Sequence, residues 1–294
     1  MQTKQQIERL LAYAGVTPNK RLGQHFLIDL NLMRSLIDAA HIRFGDIVLE
    51  VGCGTGSFTE ALAEAAGQVI AVEYDDTLAQ IAAKQLKRKD NVTIISSDIL
   101  ESKNTLCREV ADALETAASQ WSGRFMLIAN LPYSVAAAVM ANLITGPIVC
   151  DSMYVTVQKE VAERMVATTG GKDYGVLGIF AAATGQAKIL RKLKPSVFWP
   201  QPQVESAMLT FRRQPKKAEQ IHNMDFFKEI VNLFMGHRRK MLKACVKFSE
   251  GRLEKIHNWN DIFNRAVIDP QLRPEEITAE NYIAIANLCY RQIH

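Results

Sequence analysis

Hydrophobic positions switch between two periods along this chain, and the switching predicts its elements. From Lys4 to Ala14, leucines and an isoleucine recur at helical spacing, and Gly15 with Pro18 ends the run. Residues 19–29 read as a loop leading into a helix at about Leu30 to Ala40. From Asp46 onward, short apolar runs alternate with helical stretches. The runs are 47–51, 69–72, 92–95, 125–129 and 153–157; the predicted helices fall near 57–66, 75–89, 104–120, 134–144 and 158–168. This alternation predicts βαβ units and an α/β, doubly wound parallel sheet with crossover helices on both faces.

Two further runs, 187–193 and 206–212, flank a proline-rich segment, Lys194-Pro-Ser-Val-Phe-Trp-Pro-Gln-Pro-Gln-Val-Glu205. They predict an antiparallel pair on the sheet edge, bringing the expected sheet to seven mostly parallel strands. Pro215-Lys-Lys-Ala218 is a candidate linker, and from Asp225 onward only helical periodicity remains. The expected division is residues 1–214 as an α/β domain, with 1–45 as a covering segment, and 215–294 as a small all-helical domain.

Composition narrows the picture. At 294 residues, 48% hydrophobic and 22% charged, the chain can bury a substantial core. No apolar stretch approaches the roughly 20 residues that span a bilayer. Met1 to Gly15 has no signal-peptide core, so a cytoplasmic location is expected. The five cysteines are scattered without Cys-x-x-Cys or Cys/His spacing, which predicts neither a disulfide framework nor a metal site. The net charge of +4 is unevenly spread. Residues 188–247 hold 14 Lys and Arg against four acids, a local +10 that leaves −6 elsewhere. Such segregation points to a face that binds a polyanion.

Candidate chemistry sits at the predicted strand ends. Glu50-Val-Gly-Cys-Gly-Thr-Gly56 follows the first run, and its glycines at 52, 54 and 56 permit a tight turn and close approach of a ligand to the backbone. The spacing is tighter than a dinucleotide fingerprint, and suits a nucleoside with an amino-acid tail. Glu73 ends the second run, placed to hydrogen-bond ribose hydroxyls, and Asp98 follows the third, placed to accept from an adenine amino group. Asn130-Leu-Pro-Tyr133 follows the fourth; proline stops the strand, and an amide beside an aromatic makes a clamp for a flat base. Cys53 has no partner for covalent chemistry and reads as packing.

In this order, Glu50 to Gly56, Glu73, Asp98 and Asn130 to Tyr133 resemble the motifs of S-adenosylmethionine-dependent adenine-N6 methyltransferases. More narrowly, the chain is similar to the ribosomal RNA adenine dimethyltransferases. The likeness is carried by Arg21-Leu-Gly-Gln-His-Phe-Leu-Ile-Asp29, Phe198-Trp-Pro-Gln-Pro-Gln-Val-Glu-Ser206, Gln158-Lys-Glu-Val-Ala-Glu-Arg-Met165, Tyr174-Gly-Val-Leu177 and His237-Arg-Arg-Lys-Met-Leu242. It spans about residues 20–245. One departure stands out: where the family often continues with an Asn-Ile-Ser-Thr type segment, this chain has Ser134-Val-Ala-Ala-Ala138.

The resemblance implies a Rossmann-like methyltransferase fold and S-adenosyl-L-methionine as cofactor, held by His25, Leu27, Gly52, Gly54, Gly56, Glu73, Asp98 and Asn130. It implies dimethylation of two adjacent adenosines near the 3′ end of small-subunit ribosomal RNA, during ribosome biogenesis. Asn130 and the Leu131 carbonyl are expected to accept the two amino hydrogens, Pro132 to orient that carbonyl and Tyr133 to stack on the base. The base must be unstacked to enter. Phe198 and Trp199 are candidates for the opposite wall. Arg238, Arg239, Lys240 and Lys243, at helical spacing, are candidates for phosphate contact. The protein is expected to act as a monomer on the immature small subunit, away from membranes. The alternatives are a large-subunit or DNA adenine methyltransferase, and a non-catalytic assembly factor on the same fold.

Overall fold

The computed structural model describes residues 1–19 and 22–293. Its strands are β1 (Phe26–Leu27), β2 (Ile47–Val51), β3 (Gln68–Glu73), β4 (Val92–Ser96), β5 (Leu100–Ser102) and β6 (Thr105–Leu106), then β7 (Phe125–Asn130), β8 (Ser152–Gln158), β9 (Gly185–Leu193), β10 (Phe198–Trp199) and β11 (Ser206–Arg213). Among the described residues, seven of them form one sheet in the order β4-β3-β2-β7-β8-β11-β9. The first five pair in parallel, and β11 runs antiparallel to β8. The expected mostly parallel, doubly wound sheet is present.

Helices cover the central strands, so β2 is buried at all five positions and reads as a continuous apolar run broken only by Glu50. Acidic caps set where helices begin. Asp29 accepts from the backbone N–H groups of Asn31 and Leu32, and Asp75 from those of Thr77 and Leu78. No helix among the described residues is long and apolar enough to cross a membrane.

Chain contacts divide the protein into two compact units, Met1–Ala162 with Lys188–Arg212, and Glu163–Ala187 with Arg213–His294. This differs from the single boundary expected at residue 214. The apolar helix Val176–Thr184, unmarked in the sequence reading, is the reason: its Phe180 ring packs 5.9 Å from Phe227 in the helix Met224–Gly236. The second unit is helical, as expected. Phe234 gathers Trp259, Phe263 and Tyr282 around it.

Two local expectations are corrected. The predicted helix from Asn104 begins only at Arg108, because residues 100–106 instead form the β5–β6 hairpin, Leu100 opposite Leu106. The basic run 237–240 is not helical. The helix before it stops at Gly236, Arg238 turns back to Glu275, and the His237 ring lies 3.9 Å from Phe248.

Candidate active site

At the C-terminal ends of β2, β3, β4 and β7, in the first unit, lies a cavity of about 410 Å³. That is where open α/β sheets bind ligands. The loop after β2 holds Gly52, Gly54 and Gly56 at φ of +77°, +57° and +79°, the left-handed region that favours glycine. A Cβ on Gly52 would stand 2.8 Å from Pro132 Cγ, and one on Gly54 2.9 Å from the Phe26 ring. Gly52 and Gly54 line the cavity, whereas Gly56 does not; it starts the helix Ser57–Ala63 and lets it approach Leu86 and Ala82.

Glu73 reaches the loop from the end of β3. One carboxylate oxygen accepts from Gly54 N at 2.8 Å and the other from Asp75 N at 3.0 Å. These bonds leave lone pairs for further donors. Burial raises its pKa despite them. Glu50, inside β2, also faces the cavity and is 2% exposed. Burial, aided by the negative charge of Glu73, pushes its pKa up to about 8. Its Oε2 has no hydrogen-bond partner among the described residues. An orphaned buried carboxylate oxygen, free carboxylate lone pairs and a glycine cradle together fit a ligand with hydroxyls and a cationic tail. Asp98, exposed at the rim, accepts from Leu100 N at 3.0 Å.

The other wall is Asn130-Leu-Pro-Tyr133. Asn130 Nδ2 donates to the His25 carbonyl at 2.8 Å, and its Oδ1 accepts from the Thr156 hydroxyl. No described residue donates to the Leu131 carbonyl, while that of Pro132 caps the next helix through Val135 N and Ala136 N. The Tyr133 hydroxyl is 2.5 Å from Ser206 Oγ, and its ring centroid is 5.6 Å from that of His25. His25 donates from Nδ1 to the Pro200 carbonyl at 2.7 Å. His25 and Leu27 thus meet the glycine loop and the clamp at one cavity; Arg21, which opens their segment, lies outside the described residues.

Other expectations are not met. Phe198 is 1% exposed and belongs to the core with Leu27 and Met33. Strand alternation then turns Trp199 the other way, where it stacks on Phe26 at 6.1 Å under the Lys4 ammonium. Neither lines the cavity. In the second unit, Arg238 is held by Glu275 at 2.7 Å and by the Lys172 carbonyl. Arg239, Lys240 and Lys243 are exposed, Lys240 over the Phe248 ring.

Residues outside the sequence-predicted set also line or brace the site. Gln2 donates to the Thr55 carbonyl at 3.2 Å and accepts from the Thr55 hydroxyl at 2.6 Å, bracing the glycine loop. Tyr74, 61% exposed at the rim, follows Glu73. Ser134 and Val135 line the cavity, but Ala136 is buried and Ala137 exposed. A large aromatic beside a candidate binding acid is a legible signal for Tyr74; nothing local marks Gln2.

A doubly wound sheet whose strand ends gather a glycine loop, a buried acid and an Asn-Leu-Pro-Tyr turn defines an S-adenosylmethionine-dependent methyltransferase fold. The chain matches the ribosomal RNA adenine dimethylase family over residues 15–287 and belongs to it. It is therefore a ribosomal RNA adenine methyltransferase. It is 35% identical over 272 residues, 92% of this chain and 97% of the relative, to ribosomal RNA small subunit methyltransferase A of Caldanaerobacter subterraneus subsp. tengcongensis. Its fold is similar to a dimethyladenosine transferase from Plasmodium falciparum, with a TM-score of 0.68, 20% identity, and 90% and 97% of the two chains covered. It is also similar to the 23S rRNA methyltransferase ErmE, with a TM-score of 0.60, 19% identity, and 89% and 98% covered.

Proposed function

We propose that this protein dimethylates the N6 amino groups of two adjacent adenosines near the 3′ end of small-subunit ribosomal RNA. It acts in the cytoplasm, as a monomer, on the immature subunit. The observation that carries the chemistry is that the clamp and the glycine loop share one cavity, with Gly52 under Pro132. The small-subunit target is supported by the named relative at 35% identity.

S-adenosylmethionine, when bound, supplies a methyl group on a sulfonium that is already an activated leaving group. Gly52, Gly54, Glu73 and Asp98 would hold it, with His25 and Leu27 closing over it. Glu50 meets its cationic end. The chain's task is then to make a poor nucleophile reactive. An adenine amino nitrogen delocalises its lone pair into the ring. Acceptance of its two hydrogens by Asn130 Oδ1 and the Leu131 carbonyl pulls the nitrogen toward a pyramidal shape and frees that pair. Tyr133 stacks on the base and holds it in line. Burial raises the Tyr133 phenol further above its usual range, so it stays neutral. Placement and electrostatics carry the acceleration. Arg239, Lys240 and Lys243 supply salt-sensitive phosphate contacts.

The deciding experiment offers labelled S-adenosylmethionine with small subunits, large subunits, naked RNA or DNA and identifies the modified nucleoside by mass. Label in N6,N6-dimethyladenosine of small subunits is expected. Label confined to large subunits or DNA would overturn the reading.

A further inference from the structure

Asn130 is useful to the reaction only if its carboxamide presents oxygen, not nitrogen, to the base. The torsion that decides this is broad and nearly two-fold in a free asparagine. Two groups decide it here. The His25 carbonyl can only accept, so the amino end of Asn130 must face it, at 2.8 Å. Oδ1 then faces Thr156, whose hydroxyl must donate. Of these two anchors, His25 lies beside the two-residue strand β1, outside the seven-stranded sheet. Thr156 lies inside that sheet. It pairs with Asn130 as the last rung of the β7–β8 ladder, its carbonyl accepts from Leu131 N at 3.1 Å, and it is 1% exposed.

We propose that Thr156 is a positioning residue for methyl transfer, its hydroxyl locking the Asn130 carboxamide with an oxygen lone pair available to the adenine amino group. The hydroxyl uses one lone pair of Oδ1 and leaves the other for the substrate. It does so from inside the seven-stranded sheet, independently of the contact that the 22–29 segment makes with Nδ2. No apolar residue at 156 could do this. Neighbouring β8 positions Met153, Val155 and Val157 are buried hydrophobics that need no such partner, and the Tyr154 hydroxyl bonds elsewhere, accepting from Arg212 Nε. The inference rests on the role proposed above for Asn130.

The test compares Thr156→Val, which keeps shape and removes the donor, with Thr156→Ser, which keeps the donor. In full-length protein assayed on small subunits, Thr156→Val is expected to lower kcat about tenfold, the worth of about one net hydrogen bond. KM for both substrates should hold, and Thr156→Ser should recover most of the rate. In an Asn130→Ala background, Thr156→Val should cost nothing further. A readout independent of turnover is the pair of Asn130 carboxamide signals in ¹H–¹⁵N spectra, assigned by their loss in Asn130→Ala. They should shift or broaden in Thr156→Val and return in Thr156→Ser. Full kcat with unmoved carboxamide signals in Thr156→Val overturns the proposal. If the unsubstituted protein methylates no nucleic acid, the proposed function fails instead, and the carboxamide signals still judge Thr156.

Discussion

On the glycine-loop wall of the cavity, Glu50 keeps a buried carboxylate oxygen without a partner among the described residues; on the clamp wall, Asn130 and Tyr133 have every side-chain polar atom bonded. The first wall is incomplete alone, and a ligand carrying donors and positive charge would complete it. The second wall is finished in advance. Its spare capacity is a single oxygen lone pair on Asn130 and the Leu131 carbonyl, aimed by groups that need not rearrange. Under the proposed function, binding energy is gained where the protein is unsatisfied, and rate where it is already set.

The largest expected break in this comparison is Asn130→Ala. It removes the proposed acceptor but touches neither the glycine loop nor the exposed cations of the second unit. Transfer should fall by about 100-fold or more, the scale on which removing one oriented group acts. RNA affinity, measured by filter binding at fixed salt, should stay within about twofold. Undiminished transfer would remove the clamp from the mechanism.

The two walls also differ in how much of them the sequence displays. The glycine loop is legible because left-handed backbone selects glycine, and Glu73 because strand ends in an α/β sheet are countable. The Asn130-Leu-Pro-Tyr133 turn is legible because proline must end the strand. What holds the clamp is not legible. Thr156 lies 26 positions from Asn130 and Ser206 73 from Tyr133, and each reads locally as one hydroxyl in a strand. Gln2 reaches the glycine loop across 53 positions. Phe198 and Trp199 were misjudged for a related reason. A proline-rich loop predicts rigidity but not that β10 pairs with β1, which sends Phe198 into the core. The basic run 237–240 has helical spacing but is not helical, and Arg238 pairs with Glu275, 37 positions beyond it. Local periodicity marks the seven strands of the main sheet but not β1, β5, β6 or β10, and the long-range hydrogen bonds are visible only in the folded protein.

Glu50→Gln sharpens the comparison from the other wall. The folded pKa of about 8 lies above the ordinary 4.5, so between those values the folded protein keeps a proton that the unfolded chain has lost. Stability of the unsubstituted protein should therefore fall as pH rises from about 4.5 to about 8, then level off. Glutamine cannot ionise, so the advantage of the variant should grow over the same window to a few kcal/mol, read from urea unfolding at several pH values. Glu73, Cys53 and Thr59 surround this group, and only Glu73 carries a charge that adds to the effect. Parallel pH curves for the two proteins would mean that the folded carboxylate is solvated or paired, and the contrast between the walls would fail.

The smallest expected effect is that of Tyr133→Phe. The ring, to which the proposed function assigns the stacking, remains, and only the contact of the hydroxyl with Ser206 is lost. Ser206 is fully buried at the start of β11, so its Oγ would be left without that partner. The cost should be about 1 kcal/mol of stability, with kcat changed by a few-fold at most. Tyr133→Ala, by contrast, removes the stacking surface and should reduce transfer well beyond that. The ratio between the two substitutions separates what the ring does from what its anchor does. If phenylalanine proves as damaging as alanine, the hydroxyl acts in the reaction itself, and this wall is not merely held in place by its bonds but uses one of them.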